Sequence, residues 1–360
     1  MRILTRYVAK AYLRMLGLCL GSFITIYLVV DFMEKVSRFT RAGASWKYLV
    51  LFFITKIPEM VVDSAPLAVL MATLLTLGSF SLSSELTAMR SCGVSLARIS
   101  APILAISVLM SLVVLMLGEF VIPKSYAQRI YIQEVLIQKK SPSTYFRQHN
   151  IWHREEGNVL RASLFEPSQN QLKGVTLWEV QPKTGLPLRR TDAALGQLGN
   201  QGWVFKDVVV REFEGADISR TRKYPQLAAP LKLKPADLKV LGKYSDSMTL
   251  RELNRYCKKI QAGGYDATRY ITQFHSRISL PFGCAVMAFL GIPFALRGGR
   301  SSGIAFGIGL SIGVGFLYVI INSVIISVGQ VGLLPPIAAA WATNFIFLAA
   351  GGWLSLTIDN

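Results

Sequence analysis

Lys35, Arg38 and Arg41 follow directly on an apolar run. Cations so placed suit an anion, which they would hold through charge-assisted hydrogen bonds, and arginine grips a phosphate through two parallel donors where lysine offers a point charge. A solvated or headgroup-facing loop accounts for them equally well. Lys56, Glu59 and Asp63 recur at i, i+3 and i+7, one helical face, framed by Pro58 and Pro66. Charges in apolar surroundings are costly unless they face protein or a wet cavity. An internal Lys56–Glu59 ion pair is the structural reading of that face, and contact with a ligand is the functional one. His149 and His153 stand four apart before Glu155 and Glu156, but the segment reads as strand, where i and i+4 do not converge on a metal, and HExxH is absent. There is no GxxxxGK[ST] and no GxSxG. Cys19, Cys92, Cys257 and Cys284 form no CxxC, and Cys257 is alone in the large polar part, so no disulfide is expected there. The expectation is a non-enzyme with no catalytic residue and no metal site.

The elements around these charges say where they operate. Of 360 residues, 52% are hydrophobic and 17% charged, against about 25% charged in an average soluble domain. Mean hydropathy is +0.40. Long uncharged runs make this an α-helical integral membrane protein. Residues 15–30 fall short of the about 20 that a span needs, so the first helix should continue through Asp31 toward Arg38. The second run is 48–82, and the third is 101–122, ending at Pro123. Three more follow at 275–296, 303–328 and 333–356. A signal peptide is set aside because no small-residue cleavage site is present and further spans follow.

The chain carries a net charge of +18 and a pI of about 9.9. Such a balance fits nucleic acid, anionic lipid or topology signals. No nucleic-acid module and no basic helix with interleaved aromatics is present, so nucleic acid is not an expected partner. Arg2, Arg6, Lys10, Arg14, Arg90, Arg98, Arg297 and Arg300 occupy one set of short segments, and Lys35, Arg38, Arg41 and Lys47 the other. The richer set belongs in the cytoplasm. Both termini are therefore expected inside, and the long segment between spans three and four outside.

That segment, 124–273, reads as an inserted β domain. Residues 151–154, 158–165, 172–180 and 203–213 are strand-like, with turn clusters at 156–158, 167–170, 182–185 and 199–202. Short strands at this spacing form a meander, sandwich or barrel, and an open jelly roll and a closed barrel stay equally compatible. A helix at 247–262 ends the domain, with Thr249 and Glu252 as a capping box and Gly263-Gly264 as its stop. The domains expected are 1–123 with spans one to three, 124–273, and 274–360 with spans four to six.

Between spans two and three lies SLSSELTAMRSCGVSLARIS, residues 81–100. As one helix it places Leu82, Leu86, Met89, Gly93 and Leu96 on one face, with Ser84, Thr87, Ser91, Ser95 and Arg98 opposite. A short amphipathic helix here either lies in the headgroup layer or docks in a groove of a soluble partner. Ser84-Glu85, Met89-Arg90 and Cys92-Gly93 resemble the cytoplasmic coupling helix of the LptF/LptG permeases, the membrane subunits of the transporter that exports lipopolysaccharide. The stretch MTLRELNRYCKKIQAGGYDATRY, running into FHSRISLPFGCAVMAFLGIPFAL, is similar to that family's approach to span four, and LLPPIAAAW to its last span. RYVAK, with Asp31-Phe32 and Glu34-Lys35, leans toward the LptG-like member, while MRSCG and QFHSR would suit the LptF-like one.

The resemblance implies more than spacing does. It implies a periplasmic β-jellyroll whose interior holds acyl chains, in a protein of the bacterial inner membrane. It assigns Lys35, Arg38 and Arg41 to lipid A phosphates, with Asp31 where a family cation would stand. The coupling helix, 82–98, would meet an LptB-like ATPase dimer through Ser84, Glu85, Met89, Arg90 and Gly93. Span five carries Gly303-x3-Gly307, Gly309-x3-Gly313 and Ser311-x3-Gly315, small-residue surfaces that let helices approach closely; in the family this span meets span one of the second permease at a lateral gate, which the resemblance assigns to Gly307, Ser311 and Gly315. An LptF-like (or LptG-like) second permease, an LptC-like single-span protein and an LptA-like periplasmic bridge complete the implied partners. ATP would be bound by the ATPase subunit, and no cofactor by this chain. A membrane-anchored lipid-binding module without transport coupling is the alternative.

Overall fold

The computed structural model describes residues 2–41, 43, 45–137, 148–155, 158–166, 171–181, 186–199, 202–214, 217–229, 245–262, 266–297 and 304–357. Most of the anticipated turn residues, Gly263-Gly264, Arg300 and Gly303 lie outside them. The chain divides into a helical unit, Met1–Ile130 with Thr249–Asn254 and Thr268–Asn360, and a second unit, Tyr131–Met248 with Arg255–Ala267.

In the helical unit α1 is Arg2–Arg41, α2 Trp46–Leu82, α3 Glu85–Ser91, α4 Leu96–Met116 and α5 Ile122–Tyr131. After the sheet come α6 (Leu250–Ala262), α7 (Thr268–Arg297), α8 (Ile304–Gln330) and α9 (Pro336–Leu356). Among the described residues six helices are long and apolar enough to cross a membrane; a helix satisfies its own backbone polar groups, as a lipid-exposed segment must. α2 and α7 form the centre, with 61% of each apolar window buried, whereas only 11% of that of α1 and 17% of that of α8 is covered. One core joins Val8, Tyr12 and Leu16 to Ala68, Ala72, Ile103 and Ala288. A second joins Leu70 and Leu74 to Met287, Tyr318 and Phe347.

Buried polar side chains fix how these helices meet. Tyr12 and Ser107 share a hydrogen bond of 2.9 Å between α1 and α4. Tyr318 Oη donates to Asn344 Oδ1 at 2.9 Å, Asn344 Nδ2 to the Ser279 carbonyl at 2.7 Å, and Ser279 Oγ to the Ala340 carbonyl at 2.6 Å. This chain of donors ties α7, α8 and α9 where no water competes.

Two elements differ from the sequence expectation. The third span does not stop at Pro123. The helix passes through a π-helical turn, Leu117–Val121, continues as α5, and has a second π-helical segment at Ile132–Ile137. Pro123 lacks the N–H that would reach Glu119 and crowds that carbonyl, and the wider turn just before it absorbs both effects. Residues 81–100 are not one helix either. Ser84 takes φ 59°, Gly93 takes φ 77°, and α3 is a single short piece between the two breaks.

The capping box at the start of α6 is formed. Glu252 N–H donates to Thr249 Oγ1 at 3.3 Å and Thr249 N–H to Glu252 Oε2 at 3.1 Å.

The second unit holds a six-stranded antiparallel sheet in simple sequential order: β1 (Gln148–Glu155), β2 (Asn158–Glu166), β3 (Gln171–Val180), β4 (Pro187–Gly199), β5 (Gly202–Glu214) and β6 (Asp217–Ala228). Among the described residues β1 and β6 are open edges and the strands run as a meander, so this sheet is not a closed barrel. Its core is Leu160, Ala162, Leu172, Val175, Leu177, Ala193, Trp203, Phe205, Val208 and Val210. The buried parity switches within β3, from Leu172 to Val175, and within β5, from Phe205 to Val208. Gly174 (φ 60°) and Asp207 (φ 53°) sit at those switches, where a left-handed residue turns the following side chains to the other face. A Cβ at Gly174 would lie 2.6 Å from Ser163 Oγ.

Candidate functional site

The helical unit carries two polar centres, one near each end of α1. At the first, α2 ends at Leu82 and Ser84 turns the chain into α3. Leu86 is buried and Met89 packs beside it on the core of α1, α2 and α4. Two hydrogen bonds close the helix: Val94 N–H to the Met89 carbonyl at 3.1 Å and Gly93 N–H to the Arg90 carbonyl at 2.9 Å. This is a Schellman stop, which needs the positive φ that Gly93 supplies. The outward residues are then Thr87, Ala88, Arg90 and Ser91, all exposed. Glu85 accepts from Ser83 Oγ at 2.9 Å and from Tyr7 Oη at 2.8 Å. The start of α1 and the α2–α4 connection therefore share one end of the unit.

At the other end, Asp31 is buried and its Oδ1 accepts from Lys35 Nζ at 2.6 Å and Lys56 Nζ at 2.5 Å. Lys56 also lies over the Tyr27 ring at 5.1 Å, and Lys35 over Phe52 at 5.5 Å. The expected Lys56–Glu59 pair is thus replaced: Lys56 turns to Asp31 of α1, and Glu59 pairs with Arg129 of α5. Neighbouring helices bring full opposite charges into a poorly solvated interface, where they outweigh a solvent-facing i,i+3 contact. Asp63 is exposed on the same helix.

Of the three expected anion-binding cations, Lys35 is half-buried and engaged by Asp31. Arg38 and Arg41 are exposed in the last turn of α1, with no carboxylate partner among the described residues.

Gly307, Ser311 and Gly315 stand at i, i+4 and i+8 on the side of α8 turned to α2. Ser311 and Gly315 are buried, and Cβ atoms at Gly315 and Gly307 would lie 2.8 Å from Leu67 Cγ and 3.9 Å from Leu74 Cβ. They seat α8 inside its own chain. Gly309 and Gly313 are left open on α8, with no described residue within 4 Å of an added Cβ, beside exposed Ile312 and Phe316.

In the sheet unit a concavity of about 430 Å³ is lined by Leu177, Thr191, Phe205, Leu227 and the facing Glu179 and Arg189. His149 and His153 pair with Leu164 and Leu160 on β1; four residues along a strand is about 13 Å.

Sequence reasoning passed over Tyr7 and Arg129 and gave Asp31 no partner. A tyrosine in an apolar helix start carries no local signal. The signals at Asp31 and Lys56 are each an isolated charge in an apolar run, and their pairing was readable only as a charge complement between two spans.

The chain matches the family model described as lipopolysaccharide export system permease LptF/LptG over residues 6–357. It is 21% identical over 355 residues to the lipopolysaccharide export system permease protein LptG of Escherichia coli K12, covering 98% of this chain and 97% of that protein. To the LptG of Haemophilus influenzae it is 21% identical over 361 residues, again 98% and 97%. Six apolar helices interrupted by an antiparallel β unit, and a match that runs nearly from end to end, have one reading: the chain belongs to the LptF/LptG family of lipopolysaccharide export permeases.

Proposed function

We propose that this chain is the LptG-like permease subunit of an inner-membrane transporter that draws lipopolysaccharide from the outer leaflet and passes it to periplasmic bridge proteins. Both termini and α3 lie in the cytoplasm, and the β unit in the periplasm. ATP is hydrolysed by a separate LptB-like dimer that receives α3. This chain binds no cofactor of its own. An LptF-like subunit completes the cavity, and an LptC-like protein and an LptA-like bridge receive the lipid.

The observation that carries the reading is α3 itself. It is a short helix stopped at both ends by left-handed residues and anchored by Leu86 and Met89, with Glu85 and Arg90 at its rim. A helix lying passively in the headgroup layer needs no such rigid presentation, whereas one that must follow the closure of an ATPase groove does. At the other end, exposed Arg38 and Arg41 suit lipid phosphates. The poorly covered α1 and α8 are the helices free to meet a second subunit at a lateral gate, on the α8 side through Gly309 and Gly313. The concavity of the β unit is the proposed place for acyl chains.

The test is affinity purification of the tagged chain from native membranes in mild detergent, with every co-purifying protein identified. An ATPase subunit and a second six-span protein are expected. Recovery of the chain alone, or with envelope proteins only, would overturn the reading in favour of an anchored lipid-binding module.

A further inference from the structure

Glu85 is not a free carboxylate on the surface of α3. Each of its oxygens already accepts a hydroxyl: Oε1 from Ser83 and Oε2 from Tyr7. Ser83 is local, two residues away. Tyr7 is not, since it stands on α1, 78 residues earlier. Its ring stacks on Phe80 at the end of α2, with centroids 5.6 Å apart and planes inclined by 22°, yet the residue is 49% exposed. The ring contact sets where the hydroxyl points, and the hydroxyl reaches the one acid at the head of α3.

Below that contact α1 is a stiff rod with little cover. Tyr12 holds it to Ser107 of α4, and Asp31 holds it to Lys56 of α2. From Tyr7 to Asp31 the helix rises about 36 Å, so α1 is pinned by polar contacts at both ends and spans the distance between them. A carboxylate has about four acceptor sites. Two hydroxyls leave room for a guanidinium or ammonium to join Glu85, and they hold the carboxylate in one orientation while it does.

We propose that Tyr7 is a positioning residue that ties the docking carboxylate Glu85 to α1, so that movement of α3 in the groove of a nucleotide-binding subunit is passed directly to α1. The partner chemistry is a basic side chain of that subunit meeting Glu85. The link is the Tyr7 hydrogen bond, and the moved element is the helix that carries Arg38 and Arg41 at its far end. The inference rests on the transporter reading above and adds a route to it that bypasses α2 and α4.

The experiment uses the complete co-purified transporter in proteoliposomes containing lipopolysaccharide, with lipid release and ATP hydrolysis measured together. Tyr7→Phe keeps the ring on Phe80 and deletes only the hydroxyl. The ATPase subunit should still co-purify, while lipid released per ATP falls about tenfold, the worth of one hydrogen bond to a charged group. Tyr7→Ala should lose the ring contact as well and lower thermal stability. Glu85→Gln should weaken capture of the ATPase subunit itself. An unchanged release-to-hydrolysis ratio in Tyr7→Phe, with the complex intact, would overturn the link and leave the transporter reading standing. Equal losses of assembly in Tyr7→Phe and Tyr7→Ala, with the ratio unchanged, would reduce Tyr7 to a structural contact. A wild-type chain that captures no ATPase would overturn both.

Discussion

Asp31 of α1 accepts a 2.5 Å hydrogen bond from Lys56 of α2 while also holding Lys35 one turn along its own helix. One carboxylate thus serves two ammonium groups, and the cluster keeps a net positive charge. Its second oxygen, Oδ2, is buried and has no hydrogen-bond partner among the described residues. The pair closes the α1–α2 interface at the end of the unit away from α3, and it removes Lys35 from the set of freely available cations.

That arrangement makes Asp31 expensive to lose. Asp31→Asn leaves the buried Lys56 facing Lys35 with no counter-charge, and breaking one half of a buried ion pair costs about 3–5 kcal/mol. A marked fall in the thermal unfolding temperature of the purified protein in detergent is expected. Asp31→Asn combined with Lys56→Met should recover most of it, because the orphaned charge is gone. A single variant as stable as the native protein would show that the pair contributes nothing.

Charge reversal at the other two cations should act on ligand rather than on stability. Arg38→Glu with Arg41→Glu alters exposed side chains, so unfolding should be almost unchanged. Binding of a bis-phosphorylated lipid A should weaken by tenfold or more, and binding of its dephosphorylated form much less, since each charge-assisted bond is worth about 1.5–3 kcal/mol. Equal weakening for both lipids, measured by the same titration in detergent, would remove phosphate recognition from these residues.

On α8 two glycines six residues apart should respond oppositely. Gly315→Ala places a methyl 2.8 Å from Leu67 Cγ, and such overfilling costs about 1–3 kcal/mol. Gly309→Ala meets nothing within 4 Å and exchanges a poor helix former for a good one, a gain of up to about 1 kcal/mol. Thermal unfolding of the two variants side by side decides whether the α2 side of α8 is as closely fitted as its geometry demands.

The orientation can be read with the native thiols. Cys92, the cap residue of α3, is exposed, whereas Cys19, Cys257 and Cys284 are buried. Burial also pushes the Cys257 thiol up, which lowers its reactive thiolate fraction. A membrane-impermeant maleimide should therefore label one site per chain, in inverted vesicles and not in right-side-out ones, and Cys92→Ser should abolish it. Labelling from the periplasmic side would place α3 in the periplasm and end its role as a docking helix.

The sequence by itself determined the elements whose cause is local. Six runs of apolar residues become helices because each buries its own backbone polar groups. Thr249 and Glu252 cap α6 because both partners lie within one turn. The inserted β unit announces itself by turn clusters and by strands rich in Val, Trp and Phe. The cations after the first span were visible as charges ending an apolar run. Two strands escaped notice, β4 and β6. In β4 Thr191 and Ala193 are buried, while Arg190 and Asp192 beside them read as loop.

What only the tertiary structure decided is which way each helix faces and whom its polar groups meet. In an almost wholly apolar helix such as α8 no hydrophobic stripe records direction, so the inward course of Gly307, Ser311 and Gly315 emerges only when α2 lies against it. Lys56 could not be matched to Asp31 rather than Glu59 until α1 and α2 were set side by side, because a partner on another helix depends on the rotation of both. The breaks at Ser84 and Gly93 follow the same logic: local periodicity favoured one continuous helix, and the need to seat Leu86 and Met89 on the core while returning the chain into α4 imposed two left-handed turns.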